Sequence, residues 1–118
     1  MRAVVQRVKS SNVKVNDNII GEINNGINLL LGIKKGDNHN DLEYLAEKIL
    51  NLRIFEDSDG KMNLSLIDKK YELLIIPQFT LLGDCRKGRR PSFFESADPK
   101  VAKDLYKKFI DYVKNNYD

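Results

Sequence analysis

The first half of the chain alternates apolar and polar positions with the two-residue period of strands. In RAVVQRV (2–8), Ala3, Val5 and Arg7 fall on one face. An arginine on an apolar face either snorkels to an edge or holds something inside. NVKV (12–15) and IIGEI (19–23) flank NDN (16–18) and predict a hairpin. Asn25-Gly26 is a turn signal, and INLLLGI (27–33) is nearly all apolar, as a central strand is. KKGDN (34–38) breaks that run. The period then changes. Leu42, Leu45, Ala46, Ile49 and Leu52 recur at helical spacing, with Asn40 as expected N-cap and Glu43 three residues on. RIF (53–55) and KMNLSL (61–66) flank EDSDG (56–60), where Asp59-Gly60 predicts a hairpin turn. YELLIIPQFTLL (71–82) is the strongest strand pattern of the second half.

The last element reads as a helix, with Asp98 as N-cap and Pro99 at the first helical position. On a 3.6-residue wheel Val101, Ala102, Leu105, Tyr106, Phe109, Ile110, Val113 and Tyr117 fill one half. Lys100, Lys103, Lys107 and Lys114 cluster opposite. Strands outnumber helices and hairpins dominate. The expected fold is α+β, a single domain over 1–118 with a mostly antiparallel, curled sheet and two packed amphipathic helices.

Composition narrows the class. The 118 residues are 42% hydrophobic and 31% charged, an ordinary globular balance. No apolar run reaches the length of a membrane span. MRAVVQRVKSS at the start lacks the apolar core of a signal peptide, and the one cysteine, Cys85, has no internal disulfide partner. A cytoplasmic protein is expected. Residues 1–60 carry 8 Lys/Arg against 9 Asp/Glu, net −1; residues 61–118 carry 12 against 8, net +4. The basic half suits an anionic partner or a merely solvated surface.

The usual nucleophilic schemes are poorly supplied. His39 stands alone in a polar loop, and nothing in the spacing pairs it with Cys85. Cys and His together number two, too few for structural zinc, and no metal is expected. DSDGKMNLSLID has Lys61 where a calcium loop needs an oxygen ligand, and GIKKGD lacks phosphate-loop spacing. What remains is PQFTLLGDCRKGRRPSF (77–93). On a continuing strand Gln78 and Thr80 would oppose Phe79. They would either satisfy each other and the backbone or line a pocket for a polar ligand. Pro77 has no N–H, so the ladder breaks there and free backbone N–H groups could bind an oxyanion. Arg86, Lys87, Arg89 and Arg90 follow, with Gly88 among them. Arginine forks suit phosphates, and a polar pocket beside a phosphate-binding loop suits a nucleic-acid end.

Several ungapped stretches, in order, carry a resemblance. MRAVVQRV, GEINNGINLLLGI, AEKILNLRIFEDSDGKMNLSL, QFTLLGDCRKGRRPSF and the Asp-Pro-initiated AKDLYKKF helix resemble the D-aminoacyl-tRNA deacylase family over nearly the whole chain. The resemblance implies hydrolysis of the ester joining a D-amino acid, or glycine, to the terminal adenosine of tRNA. That is a proofreading step of translation. It also implies a cytoplasmic homodimer with its site at the subunit interface, no membrane and no cofactor. The backbone at Gln78 and Phe79 would form the oxyanion hole, and Thr80 would line the site. A ribose hydroxyl of the tRNA would assist. Arg7 would help set chirality, and the substrate would lie against Pro77. Contacts of Arg86, Lys87, Arg89 and Arg90 with tRNA are inferred from charge and position, and they make binding salt-sensitive.

Two departures from the family pattern stand out. Pro77 replaces a usual serine. The family also continues into strands carrying a Gly-Pro pair with a cis bond, in an Asn-Asp-Gly-Pro-Val-Thr-like stretch. The prolines here are Pro77, Pro91 and Pro99. The chain is therefore expected to lack that segment and its last strands. The alternative reading is a non-catalytic tRNA- or RNA-binding module.

Overall fold

The computed structural model describes residues 1–117. In chain order these form β1 (Arg2–Val8), β2 (Ser11–Val15), β3 (Asn18–Ile23), β4 (Gly26–Gly32) and α1 (His39–Asn51). Next come β5 (Phe55–Glu56), β6 (Met62–Leu64), α2 (Leu66–Lys69) and β7 (Glu72–Pro77). A 3-10 turn (Phe79–Leu82) and α3 (Pro99–Asn116) complete the order. β1, β4 and β7 form a three-stranded sheet with β4 in the centre, as its continuous apolar run requires. β2–β3 and β5–β6 are antiparallel pairs. The residues group into two compact units, each described in turn.

One unit comprises Val5–Leu29 and Glu47–Ile76. Its β2–β3 hairpin turns on Asn16 and Asp17, both left-handed at φ 51° and 66°. These two residue types tolerate that region best after glycine, and two such positions twist the turn to match the strands. Gly26 is obligatory for a different reason. A Cβ there would sit 1.8 Å from the Glu72 carbonyl oxygen. The Glu72 N–H donates to the Asn25 carbonyl at 3.0 Å, so the close approach is a bonded one. The β5–β6 turn is organised by Asp57, whose carboxylate accepts from the N–H groups of Asp59 and Lys61. The backbone bond from Lys61 leads the causes that lower its pKa. KMNLSL does not run as one strand. Ser65 ends β6 and caps α2 in a capping box, accepting from the Asp68 N–H while Asp68 accepts from the Ser65 N–H.

The other unit comprises Met1–Val4, Leu30–Ala46 and the residues from Pro77 on. Leu31, Ile33, Leu42, Ala46, Leu82, Leu105, Phe109 and Val113 are buried in it. α1 begins earlier than the sequence pattern suggests. Asn38 caps it in place of Asn40, because Asn38 Oδ1 accepts from the Asp41 N–H and Asp41 Oδ2 accepts from the Asn38 N–H. Glu43 instead pairs with His39 at 2.9 Å. The Met1 ammonium is held by Asp37 at 2.7 Å, and Asp37 also accepts from the Lys34 N–H. α3 starts after Asp98 with Pro99 in its first turn, although Asp98 makes no side-chain cap bond. Its fully buried stripe is narrower than the apolar half of the wheel. Leu105, Phe109 and Val113 are buried at four-residue spacing, while Val101 is exposed.

Candidate active site

YELLIIPQFTLL is not a single strand. β7 stops at Pro77, and Phe79–Leu82 wind into a 3-10 turn capped by Gln78. Proline cannot donate to a ladder, so the strand has no reason to continue past it. The alternation that set Gln78 and Thr80 opposite Phe79 therefore does not apply. The Gln78 side-chain amide reaches forward instead and donates to the Thr80 hydroxyl oxygen.

The turn is fixed at nearly every carbonyl. The Gln78 carbonyl accepts from the Leu81 N–H at 3.3 Å, and the Thr80 carbonyl from the Gly83 N–H at 3.0 Å. Ser96 Oγ donates to the Phe79 carbonyl at 3.3 Å, and Arg2 Nη1 to the Leu81 carbonyl at 2.7 Å. The Gln78 N–H is committed to the Leu31 carbonyl at 2.8 Å, so it is not a spare donor. Phe79 and Thr80, as the first residues of the turn, precede any acceptor within it. Their N–H groups have no partner among the described residues. Of the two expected donors, the Gln78 N–H is thus already bonded, while the Phe79 N–H and the neighbouring Thr80 N–H are the open ones in the turn.

Pro77, Gln78 and Phe79 line an open groove of about 1070 Å³. Its floor is apolar, with Leu31 and Ile33 at the end of β4 and Ala102 and Ile110 on α3. Three lysines, Lys35, Lys103 and Lys107, stand at its edges, with Asp98 as the carboxylate among the lining groups. Lys103 and Lys107 belong to the row expected on the solvent side of α3, but they share the groove with Tyr106. Burial raises the Tyr106 pKa, so this phenol stays protonated at neutral pH. The tail of β4 is tied to the far wall. Lys35 N–H donates to the Glu95 carbonyl and Ala97 N–H to the Ile33 carbonyl.

The basic loop sits on a short clasp. Asp84 and Ser92 exchange both backbone hydrogen bonds, at 2.7 and 2.8 Å, and close residues 85–91 into a loop with Gly88 at φ 70°. Gly83 fits closely against its surroundings, since a Cβ there would lie 3.0 Å from the Phe93 ring and 3.1 Å from the Thr80 carbonyl oxygen, and both would have to give slightly. Phe93 packs edge-on against Phe79 with ring centroids 5.2 Å apart and also lines the groove. The loop is thereby joined to the 3-10 turn by packing. Its four cations are not equivalent. Arg86 Nε and Nη2 grip the Asp84 carboxylate, with the shortest bond at 2.7 Å. The side-chain bond to Arg86 is the main cause holding the Asp84 pKa at about 2. Lys87, Arg89 and Arg90 are exposed and make no ion pair among the described residues.

Arg7 lies in the other unit. The alternation of β1 breaks at Gln6 and Arg7, both exposed, and the Arg7 guanidinium donates to the Ile54 carbonyl at 2.9 Å. Its inward placement is not observed; of the two sequence readings, the edge position holds. His39 and Cys85 are exposed and do not line the groove, and no cluster of three or more metal-capable side chains forms among the described residues. Sequence reasoning missed Arg2, Lys35, Ser96 and Tyr106, and it named Lys103 and Lys107 as a basic stripe without placing a groove beside them. Only Tyr106 carried a usable signal, as a phenol on the apolar half of α3.

Residues 4–118 match the family D-Tyr-tRNA(Tyr) deacylase. The chain is 60% identical to the D-aminoacyl-tRNA deacylase of Natranaerobius thermophilus, over 99% of this chain and 78% of that one. It is 61% identical to that of Thermosipho africanus, over 98% and 77%. Among solved structures, a c-Myc DNA Unwinding Element Binding Protein superposes with a TM-score of 0.94 at 42% identity, covering 99% of this chain and 78% of that one. A probable eukaryotic D-amino acid tRNA deacylase superposes at 0.78 with 23% identity over 95% and 66%, a likeness of fold.

Proposed function

We propose, from the premise that this chain belongs to the D-Tyr-tRNA(Tyr) deacylase family, that it hydrolyses the ester of D-aminoacyl-tRNA and so proofreads translation. The observation that carries the mechanism is the 3-10 turn after Pro77. Its carbonyls are tied down by Arg2, Ser96 and its own amides, while the Phe79 and Thr80 N–H groups remain unsatisfied. Such donors cost no reorganisation when charge develops on an ester carbonyl oxygen. Water adds to the carbonyl carbon, the oxygen takes the negative charge, and the ribose oxygen leaves with a proton. Pro77 shapes the groove wall, whereas the Thr80 hydroxyl, held by the Gln78 amide, is exposed and is not among the groove-lining groups, so its part is secondary to the backbone donors. Lys87, Arg89 and Arg90 hold tRNA phosphates, and Arg86 contributes less because Asp84 already neutralises it. Arg7, exposed on β1, takes the chirality role in a site completed by a partner subunit.

That last condition fits a homodimer, for which the exposed Val15, Ile19 and Ile20 of the β2–β3 hairpin offer apolar surface. Sedimentation equilibrium tests it, and a monomer at micromolar concentration would end the dimer reading. No helix of the described residues is long and apolar enough to cross a membrane. A cytoplasmic setting, where charged tRNA is found, is the location we propose. The identity of the relatives does not favour a non-catalytic module. The test of function is release of D-tyrosine from D-tyrosyl-tRNA in proportion to added protein. A release rate equal to that of buffer alone rejects it.

A further inference from the structure

The chain has five phenylalanines. Two are in the core, Phe55 at 7% exposure and Phe109 at 0%. The other three are open to solvent: Phe79 at 60%, Phe93 at 36% and Phe94 at 78%. All three belong to one unit and to the segment from the 3-10 turn to the far end of the basic loop. Residues 84–95 carry Arg86, Lys87, Arg89 and Arg90 against Asp84 and Glu95, a net charge of +2. Scattered exposed apolar side chains are ordinary, but here the exposed rings coincide with the densest cations.

Phe94 is the most informative of the three. Its ring is not pressed into the protein, and its N–H leans on Ser92 Oγ at 3.4 Å. The Lys35 ammonium lies 3.8 Å from its centroid. Lys35 is itself anchored, since its N–H donates to the Glu95 carbonyl, and it stands at the edge of the groove that reaches Gln78 and Phe79. A cation over a ring orients that ring at a wet surface. It also leaves a positive charge beside an open aromatic face. Aromatic faces next to cations are the means by which proteins hold single-stranded nucleic acid, whose bases stack while its phosphates meet lysine and arginine. A protein partner fits less well, because lysine is depleted at the core of protein interfaces.

We propose that Phe94, oriented by Lys35, is a stacking platform for a base of the single-stranded 3′ end of tRNA, next to the terminal nucleotide that carries the ester. This rests on the deacylase reading and adds to it a binding residue outside the QFT turn. The aminoacyl ester would sit at Phe79 and Thr80, a preceding base on Phe94, and the backbone phosphates along Lys35 and the loop cations.

The experiment compares an RNA hairpin with a short single-stranded 3′ tail against the same hairpin made blunt, by fluorescence anisotropy. The native chain should prefer the tailed RNA. Phe94→Ala should weaken that binding by about tenfold, the scale of one lost base–aromatic stack, and erase the preference. Phe94→Leu keeps an apolar side chain and should fail likewise, whereas Phe94→Trp should restore binding. With D-tyrosyl-tRNA, Phe94→Ala should raise KM while kcat holds. A leucine variant equal to phenylalanine would overturn the platform, as would native-like tailed-RNA binding by Phe94→Ala. Loss of self-association in Phe94→Ala without loss of RNA binding would assign the ring to contact between copies and overturn it too. Failure of the native chain to bind either RNA or cleave the ester would overturn the deacylase reading with it. Normal turnover with indifference to Phe94 would overturn the platform alone.

Discussion

The unequal pairing of the loop cations makes a quantitative prediction. Each phosphate neutralised by a cation releases counterions, and the slope of log affinity against log salt falls by about 0.7 per contact on single strands and about 0.9 on duplex. Arg89 and Arg90 are exposed without an ion pair among the described residues. Replacing both with alanine should reduce the tRNA slope by about 1.4–1.8. Over a roughly fourfold rise in salt, from about 50 to about 200 mM, the native chain's advantage over this variant should shrink about 7- to 12-fold. Arg86 is gripped by Asp84 through Nε and Nη2, so the pair brings little net charge to a phosphate. Arg86→Ala alone should change the slope by clearly less than either single replacement at 89 or 90. Asp84→Asn, which frees Arg86, should steepen it. The assay is anisotropy of labelled tRNA across a salt series. Equal slopes for Arg86→Ala and Arg89→Ala would refute the reasoning from pairing. An unchanged slope in the double variant would remove the loop from tRNA binding.

Further outcomes follow from single residues. Thr80→Ala should lower deacylation only modestly, because the main stabilisation comes from backbone donors; complete loss in a folded variant, read by single-turnover kinetics, would give the hydroxyl a direct chemical role. The Asp84 carboxyl should titrate near its value of about 2 by NMR, and Arg86→Ala should return it toward 3.8. Its folded pKa is depressed, so the stabilisation it gives is present above the unfolded value and fades as pH falls from about 3.8 toward about 2. Gly26→Ala should cost about 3 kcal/mol in denaturant unfolding, since its Cβ would meet backbone at Glu72 and not a movable side chain. Phe109→Ala, at a fully buried position on α3, should cost about 3–5 kcal/mol by the same measurement.

What the sequence made legible follows from how local each cause is. The β2–β3 hairpin is written in Asn16-Asp17, because the two residues that accept left-handed backbone sit where the turn needs them. The centre of the sheet is written in the apolar run of β4, and α3 in its period and its Asp98-Pro99 start. The site was legible as a segment but not as a shape. Pro77 did announce a break in the ladder, yet the winding of Phe79–Leu82 into a 3-10 turn depends on Arg2 and Ser96, distant in sequence. The commitment of the Gln78 N–H to Leu31 is equally non-local. The helical wheel placed Lys103 and Lys107 in solvent, and both are exposed, but a wheel knows only one apolar direction and cannot show a groove beside the helix. In the fold α3 meets a groove on its flank, and those lysines stand at its edge. Arg7 shows the reverse case, where strict alternation overstated regularity that β1 does not keep to its end.

The central claim is that backbone donors in the turn after Pro77 stabilise the transition state of ester hydrolysis. The most direct test replaces Phe79 with phenyllactic acid, which exchanges its amide for an ester and removes one N–H while keeping the ring. Single-turnover hydrolysis of D-tyrosyl-tRNA should then slow by about 10²–10³, the cost of one oxyanion donor, with tRNA affinity retained. A folded, tRNA-binding protein that hydrolyses the ester at the native rate without that N–H would contradict the account.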